Sequence, residues 1–569
     1  MSSRQPKRIT NESPHQKLDP REVKNKATAR QNDQYMDHEI YHDDFEIEEF
    51  VTYTDIYDDV RNYRKRPSGP SKGRRVIGKI LLYLQLAVSI LVFILLFRFR
   101  ILNTGTLVII GSVLLVLWLI VFISQRKWFK KIQAAGMILS IVLSIILAMT
   151  SLYLARTNSM LKTVTSGKQY DINLYDVVVR AQDDAQTVLD TKGYRFAVQP
   201  SFRQEELASV ISQLEEKLGG EVETVVLDSA LSQAQALLEG EVDAAVYNDV
   251  FNSSIAEQLE GYEEQIRVLD TYTVKMEAET VQAVDVDIKD TAFLVYISGN
   301  DSEGSISLTG RSDVNIVAGI NTASKQIVLI SIPRDYYVEF PGITAAGSRD
   351  KLTHAGIYGM DELIATIREL LGHEINYYVR VNFSSMMDIV DAIGGVTVYN
   401  EQAFISHGGY YFPEGMVDMN GEYALHYVRE RFAFEDGDFA RGRNQIKVIQ
   451  AMMDKLVSVN SLANYNALMT AITNSVATNI PEEDLKTVIN IQLNENPQWH
   501  VVSYQMLGNV MFQPCQSTGG TFLSVDMPYL ESVENAQALL EQLFAGETLS
   551  EDLQLADNGQ LTFITNPVD

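Results

Sequence analysis

Three long apolar runs follow one another early in this 569-residue chain: VIGKILLYLQLAVSILVFILLF (76–97), GTLVIIGSVLLVLWLIVFI (105–123) and IQAAGMILSIVLSIILAMTSLYLA (132–155). Each is close to the ~20 residues a helix needs to cross a bilayer. A single run of this kind can be a buried core helix. Three in succession, with only short polar joints between them, read as membrane spans. The polar residues 1–75 ahead of the first run argue against a cleaved signal peptide.

The flanking charges set an orientation. Six Lys/Arg and no acid stand in RKRPSGPSKGRR (64–75), and four Lys/Arg stand in the joint QRKWFKK (125–131). The joint RFR (98–100) has two. The positive-inside bias puts the N-terminus and the second joint in the cytoplasm. Three crossings then place everything beyond about residue 156 outside the cell. The expected product is a multi-pass membrane protein of a Gram-positive cell. Its tail, 1–75, reads as disordered and cytoplasmic, because 31–60 holds many acids and no Lys or Arg. Tyr35, Tyr41, Tyr53, Tyr57 and Tyr63 leave open a docking role for that tail.

A net charge of −27 argues against nucleic acid as a partner, since phosphate backbones are met by basic surfaces. The single cysteine, Cys515, excludes an intrachain disulfide and has no His-containing motif near it, so a structural role is expected.

Beyond the membrane segment the expected class is α/β. Over 165–285, strand-like YRFAVQ (194–199), ETVVLD (223–228) and DAAVYND (243–249) alternate with amphipathic helices that end in Gly, which suggests a small α/β domain. No catalytic cluster is visible in it, and spacer, partner-binding or glycan-binding roles stay open. From 290 to about 560 a larger layered α/β/α domain with a mixed sheet is expected. TAFLVYIS, YYVRVN and HVVSYQ read as its strands, and MDELIATIRELLG and SSMMDIVDAIGG as its helices.

The most informative stretch is TGRSDVNIVAGINTASKQIVLISIPRDYYV (309–338). Two apolar runs, 314–320 and 327–332, flank the polar turn NTASKQ. If they pair about the middle of that turn, residues whose numbers sum to 647 face each other, and Asp313 and Arg334 satisfy the sum. Facing residues in such a ladder have Cα atoms about 4.5–5.5 Å apart. The open end of the hairpin then joins an acid and a guanidinium, with Arg311 and Asp335 beside them and Asp301 in the preceding turn. Strand ends in layered α/β folds are common ligand sites.

A second cluster, YVRERFAFEDGDFARGRNQ (427–445), holds Arg429, Arg431, Arg441 and Arg443 among four acids. If YVRER is extended, Arg429 and Arg431 leave on one face. Guanidinium forks match phosphate oxygens, and carboxylates such as Asp301 and Asp313 suit Mg²⁺ or Mn²⁺. Arginines with a few acids suit a metal-bound diphosphate. The plain alternative is a salt-bridged surface.

SGND (298–301), GRSDVN (310–315), SIPRD (331–335), KLTHA (351–355), IGGVTV (393–398), YVRER (427–431) and DGDFARGRNQ (436–445) resemble, in order, the motifs of the LytR-CpsA-Psr family of bacterial cell-envelope enzymes. Three N-terminal membrane helices and an extra small domain resemble its capsule-associated CpsA (Wzg) branch; the long acidic tail departs from that pattern. The resemblance implies a phosphotransferase that moves a glycan polymer, here a capsular polysaccharide, from an undecaprenyl-diphosphate carrier to peptidoglycan through a phosphodiester. Asp301 and Asp313 would hold Mg²⁺ or Mn²⁺. Arg311, Arg334, Arg429 and Arg431 would grip the diphosphate, with Arg441 in support. Asp313, Arg334, Arg429 and Arg431 would form the catalytic set, and Asp313 or Asp335 would take the acceptor proton. Implied partners are the polyprenyl-diphosphate-linked glycan, peptidoglycan, the membrane and capsule-synthesis proteins. The apolar faces of 360–371 and 384–393 are candidate linings for the lipid tail, or else ordinary core. Two other functions fit the same site: hydrolysis of a polyprenyl diphosphate, and non-enzymatic regulation of capsule synthesis or transcription.

Overall fold

The computed structural model describes residues 71–551, apart from 127–128, 167–169, 279–280, 301–305, 344–347, 459–469 and 474–475. Residues 1–70 of the expected tail, its tyrosines included, lie outside the described residues, while 72–75 are helical rather than part of a tail.

The three apolar runs form helices α1 (Lys72–Phe99), α2 (Thr104–Arg126) and α3 (Lys130–Ser166). All three are long and apolar enough to cross a membrane. A β-carbon added at Gly78 would meet Gln125, and one at Gly136 would meet Ser124. The start of α1, the end of α2 and the start of α3 therefore share one end of the bundle. That end carries Lys72, Arg74, Arg75, Arg126, Lys130 and Lys131.

Next comes a five-stranded sheet of β1 (Tyr170–Arg180), β2 (Arg195–Val198), β3 (Glu223–Val226), β4 (Ala244–Asn248) and β5 (Ile266–Glu277), in the order β3-β2-β4-β1-β5. Helices α4 (Gln204–Leu218) and α5 (Ala230–Glu239) link the parallel strands. Gly219 (φ 69°) and Gly240 (φ 80°) close these helices in the left-handed region, where a side chain is disfavoured. Strand–helix alternation locates β2, β3 and β4 but not the long antiparallel strands β1 and β5, which bracket them in sequence. A short helix, α6 (Asn252–Gln258), follows β4. Its Ile255, with Phe251 just ahead of it, packs in a core that also takes Ile357 and Tyr358 from the larger domain.

The larger domain is built on strands β6 (Phe293–Asn300), β7 (Val314–Asn321) and β8 (Gln326–Ser331). A small pair, β9 (Tyr337–Glu339) and β10 (Arg349–Lys351), leads into helices α7 (Leu352–Tyr358) and α8 (Met360–Leu371). β11 (Tyr377–Asn382) and helix α9 (Phe383–Ala392) follow. Four short strands, β12 (Val396–Asn400), β13 (Phe404–Ile405), β14 (Tyr411–Phe412) and β15 (Gly415–Met419), precede helices α10 (Gly421–Arg429) and α11 (Asp438–Ser458). The chain ends in β16 (Ala477–Thr478), α12 (Glu482–Glu495), β17 (His500–Gln505), the hairpin β18 (Gly508–Cys515)–β19 (Thr521–Pro528), and α13 (Leu530–Ala545).

The main sheet runs β16-β11-β6-β7-β8-β17, with parallel and antiparallel pairs mixed. Its strands alternate as two-sided burial demands. Leu294, Tyr296, Val317 and Val328 pack with Leu363 and Ile367 of α8 and Leu540 of α13. Phe293, Val295, Ile316 and Ala318 face the other way, toward Phe383 and Ile446. The result is helix, sheet, helix. This packing removes the suggested lipid lining: Met360, Leu363, Ile367 and Leu371 belong to one core and Ile389 and Val390 to others. The apolar stripes of 360–371 and 384–393 hold the layers together. Cys515 is likewise buried, beneath the terminal hairpin, with a thiol that burial pushes far up, as befits a structural role.

The larger domain also meets the membrane helices. Phe99, Ile101 and Leu161 cluster with Leu485 and Ile489 of α12. The side-chain amides of Asn490 and Asn494 donate to the Ile101 carbonyl at 2.5 and 3.2 Å. The α1–α2 joint thus lies on the side of this domain, at the opposite end of the bundle from Lys72, Arg74, Arg75, Arg126, Lys130 and Lys131.

Candidate functional site

The open end of the β7–β8 hairpin builds the site. Pairing runs from Asn321↔Gln326 to Ile316↔Ser331, the register expected from the sequence. Asn321 accepts the backbone N–H groups of Ala323 and Ser324 and fixes the turn. Asp313 and Arg334 lie just beyond the ladder, and Arg334 Nη1 donates to Asp313 Oδ1 at 2.6 Å.

The Gly310–Asp313 loop is pinned from three sides. Asp313 N–H donates to the Gly299 carbonyl at 2.7 Å, Ser312 N–H to Thr353 at 3.1 Å, and Gly310 N–H to Gly356 at 2.9 Å. Beneath the loop lies Arg380 of β11, wholly buried. It donates to the carbonyls of Ser307 (3.0 Å) and Gly310 (2.9 Å) and to the Ser298 hydroxyl (2.6 Å). Burial lowers its guanidinium to about 10, so it remains charged. Arg380 was not anticipated, although an arginine in an apolar strand, on the Tyr378 side of YYVRVN, is a usable signal of a buried positioning group.

A cleft of about 790 Å³ opens over this edge. Arg311, Asp313, Arg334, Arg429, Arg431 and Arg441 all line it. The last three come from α10, the loop after it, and α11. The YVRER segment is not extended as expected: α10 continues to Arg429 and breaks at Glu430 (φ −70°, ψ 128°). Buried Glu430 explains the break, because its carboxylate accepts the N–H groups of His407 (2.5 Å), Phe432 (2.7 Å) and Ala433 (2.9 Å). Arg429 lies over the Phe383 ring, 5.0 Å from its centroid, and Arg431 lies 4.7 Å over Phe432. Arg443 pairs with Asp436 at 2.6 Å and is 42% exposed, away from the cluster. Asp301, the other expected metal ligand, lies outside the described residues.

Burial opposes ionisation of Asp313, but Arg334, Arg311 and Arg441 outweigh it and hold the carboxyl well below the carboxylate range. Asp335 is held low in the same way, against its burial, by Arg334 and Lys351. Its Oδ1 lies 3.6 Å from Arg334 and 3.5 Å from Lys351 Nζ, beside the cleft rather than in its lining. Asp438 pairs with Arg441, and burial raises its carboxyl. Arg431 is lowered by burial and by its neighbours Arg334 and Arg441, the mark of cations crowded together. Such a set grips anions with more than one charge.

The opposite wall belongs to the small domain, in which the sequence shows no catalytic cluster. Ser253 and Glu257 of α6 line the cleft. Ser253 accepts a hydrogen bond from Arg311, and Glu257 faces Arg311, Arg334 and Lys351. No local pattern marks Glu257, because its partners lie far along the chain.

Fold and cleft together define a membrane-anchored α/β protein with a cation-walled anion site. Residues 260–538 match the LytR_cpsA_psr family model, and this stretch is a LytR-CpsA-Psr domain. Over 199 residues the chain is 38% identical to a polyisoprenyl-teichoic acid–peptidoglycan teichoic acid transferase TagU of Enterococcus faecalis, covering 34% of this chain and 64% of the relative. The TagU of Bacillus mycoides is 38% identical over 192 residues, 34% of this chain and 61% of the relative. The chain thus spans less than two thirds of the length of these curated relatives. Among solved structures, B. subtilis TagV is 26% identical with a TM-score of 0.38, covering 46% of this chain and 99% of TagV. TagT bound to LI-WTA is 25% identical with a TM-score of 0.37, covering 46% and 96%.

Proposed function

We propose that this protein transfers a glycan polymer, in the finer reading a capsular polysaccharide, from an undecaprenyl-diphosphate carrier to peptidoglycan. The observation that carries this reading is the convergence of Arg311, Arg334, Arg429, Arg431 and Arg441 with ionised Asp313 on one cleft. The names of the TagU relatives, which specify a polyisoprenyl-linked donor and a peptidoglycan acceptor, support it.

A peptidoglycan hydroxyl attacks the phosphorus attached to the sugar. The new O–P bond forms as the bond to the second phosphate breaks, and polyprenyl phosphate leaves. Phosphoryl transfer needs charge neutralisation and alignment more than a strong covalent catalyst. Arg334, held by Asp313, and Arg311 grip the diphosphate from the hairpin side, and Arg429, Arg431 and Arg441 grip it from the helix side. Prealigned cations of this kind stabilise charge developing on the leaving phosphate. Asp313, of the two expected proton acceptors, is the one facing the cleft.

Among the described residues no group of three or more His, Cys, Asp or Glu side chains is placed to hold a metal. Mg²⁺, however, is commonly held by one or two carboxylates plus substrate phosphates, and ionised Asp313 suits that mode. Asp313, with Asp301, would hold Mg²⁺ or Mn²⁺ brought in with the diphosphate, where it would neutralise phosphate charge.

We place the basic end of the helix bundle in the cytoplasm and the large domain outside, by the positive-inside bias. Contact of α12 with the α1–α2 joint supports this placement, which sets the cleft close to a lipid-borne donor.

The test is the full chain in nanodiscs given labelled lipid-linked glycan with and without peptidoglycan. Label should enter peptidoglycan only when acceptor is present. Acceptor-independent release as the main route would mean hydrolysis instead. An added chelator should lower transfer, and unchanged transfer would remove the metal from the scheme.

A further inference from the structure

We propose that Glu257, contributed by the small domain, is the displaceable counter-anion of the diphosphate site and sets how tightly that site holds a phosphate ligand; this rests on the function proposed above. Glu257 Oε1 lies 3.9 Å from both Arg311 Nη2 and Arg334 Nη2, and its Oε2 lies 3.2 Å from Lys351 Nζ. Ser253, one helical turn earlier, takes the other end of the Arg311 guanidinium. The cations are nearly enclosed, at 11%, 10% and 3% exposure, whereas Glu257 is 35% exposed. It is therefore the solvent-side anion over a buried cation cluster.

The helix beneath it is fixed. Phe251 and Ile255 are buried against Ile357 and Tyr358, and Arg203 donates to the Ile357 carbonyl at 3.1 Å. The Glu257 side chain can swing away without moving that wall. Charges around the hairpin end are balanced while it stays, with Arg311, Arg334 and Lys351 against Asp313, Asp335 and Glu257. A ligand anion must take the two guanidinium groups from this carboxylate. A diphosphate brings more charge and more oxygens for the guanidinium forks than a monophosphate does. Moving Glu257 aside costs the same whichever anion arrives, so it lowers the affinity for the diphosphate donor and for the polyprenyl phosphate product by the same factor. The carboxylate returns to the guanidinium groups as the product leaves, which hastens release of the polyprenyl phosphate.

The experiment measures binding of geranyl diphosphate and geranyl monophosphate to the full chain in nanodiscs, for wild type, Glu257→Gln and Glu257→Asp. Glu257→Gln should tighten binding of both probes about tenfold, the scale of losing one close charge competitor. Glu257→Asp, one methylene shorter, should fall between. It also carries the test if Glu257→Gln does not melt cooperatively. Unchanged or weaker binding of either probe overturns the inference. A wild type that binds neither probe overturns the diphosphate function itself, which is a separate outcome.

Discussion

Arg334 Nη1 reaches Asp313 Oδ1 across 2.6 Å although the residues are 21 positions apart, because the β7–β8 register sets them at facing places beyond the last pair. The acid orients the guanidinium and offsets the cost of burying it. Arg334→Ala is expected to lower glycan attachment about 10²–10³-fold, the usual cost of losing one prealigned charge-stabilising donor. Arg334→Lys should recover little, since an ammonium is a point charge without a planar fork. Attachment assays beside melting curves check this. Wild-type transfer by either variant would remove Arg334 from the site.

Arg429 and Arg431 are presented by a helix end that Glu430 folds back on itself. Arg429→Ala and Arg431→Ala should each lower transfer with little loss of stability, and the double variant should lose less than the product of the single effects, because groups that act together are not additive. Arg443→Ala, in the same motif but paired outward with Asp436, should transfer like wild type. Equal losses in all three would point to a general charge effect instead.

Arg380 holds two carbonyls and a hydroxyl under the Gly310–Asp313 loop. Arg380→Met leaves these acceptors buried without a donor, at roughly 1–3 kcal/mol each. The expected result is a lower melting temperature together with lost geranyl diphosphate binding, although Arg380 does not line the cleft. Stable protein with normal binding would show that the loop holds itself.

The legible parts of this molecule are those written in local patterns. Apolar run length marks α1–α3, shorter apolar runs mark β6–β8 and β11, and the polar turn fixes the hairpin register to the residue. Asp313, Arg311 and Arg334 follow from that register alone. Arg429 and Arg431 reach the cleft although the backbone carrying them was misjudged, since the cause of the turn, Glu430, bonds to His407, 23 residues away. The stripes at 360–371 and 384–393 carry the same apolar signal whether they face a lipid or a core. The partnership of Glu257 with Lys351 spans 94 positions and leaves no trace in either local sequence.

Asp526 of β19 gives the stability of the fold a pH dependence with a definite sign. Burial, then the charges of Asp335 and Asp438, push its carboxyl up to about 7. Its Oδ2 has no hydrogen-bond partner among the described residues. An unfolded aspartate titrates near pH 4. Between about pH 4 and 7 the folded chain therefore holds a proton that the unfolded chain has released, and stability from this group falls as pH rises through 7. Asp313 and Asp335 act in the opposite direction, but their depressed carboxyls lose stability only below pH 4 and do not confuse the range above 5. Asp526→Asn, always neutral, should melt above wild type at pH 8 by a wide margin and at pH 5 by a much smaller one. A gap of the same size at both values would mean that Asp526 is ionised throughout.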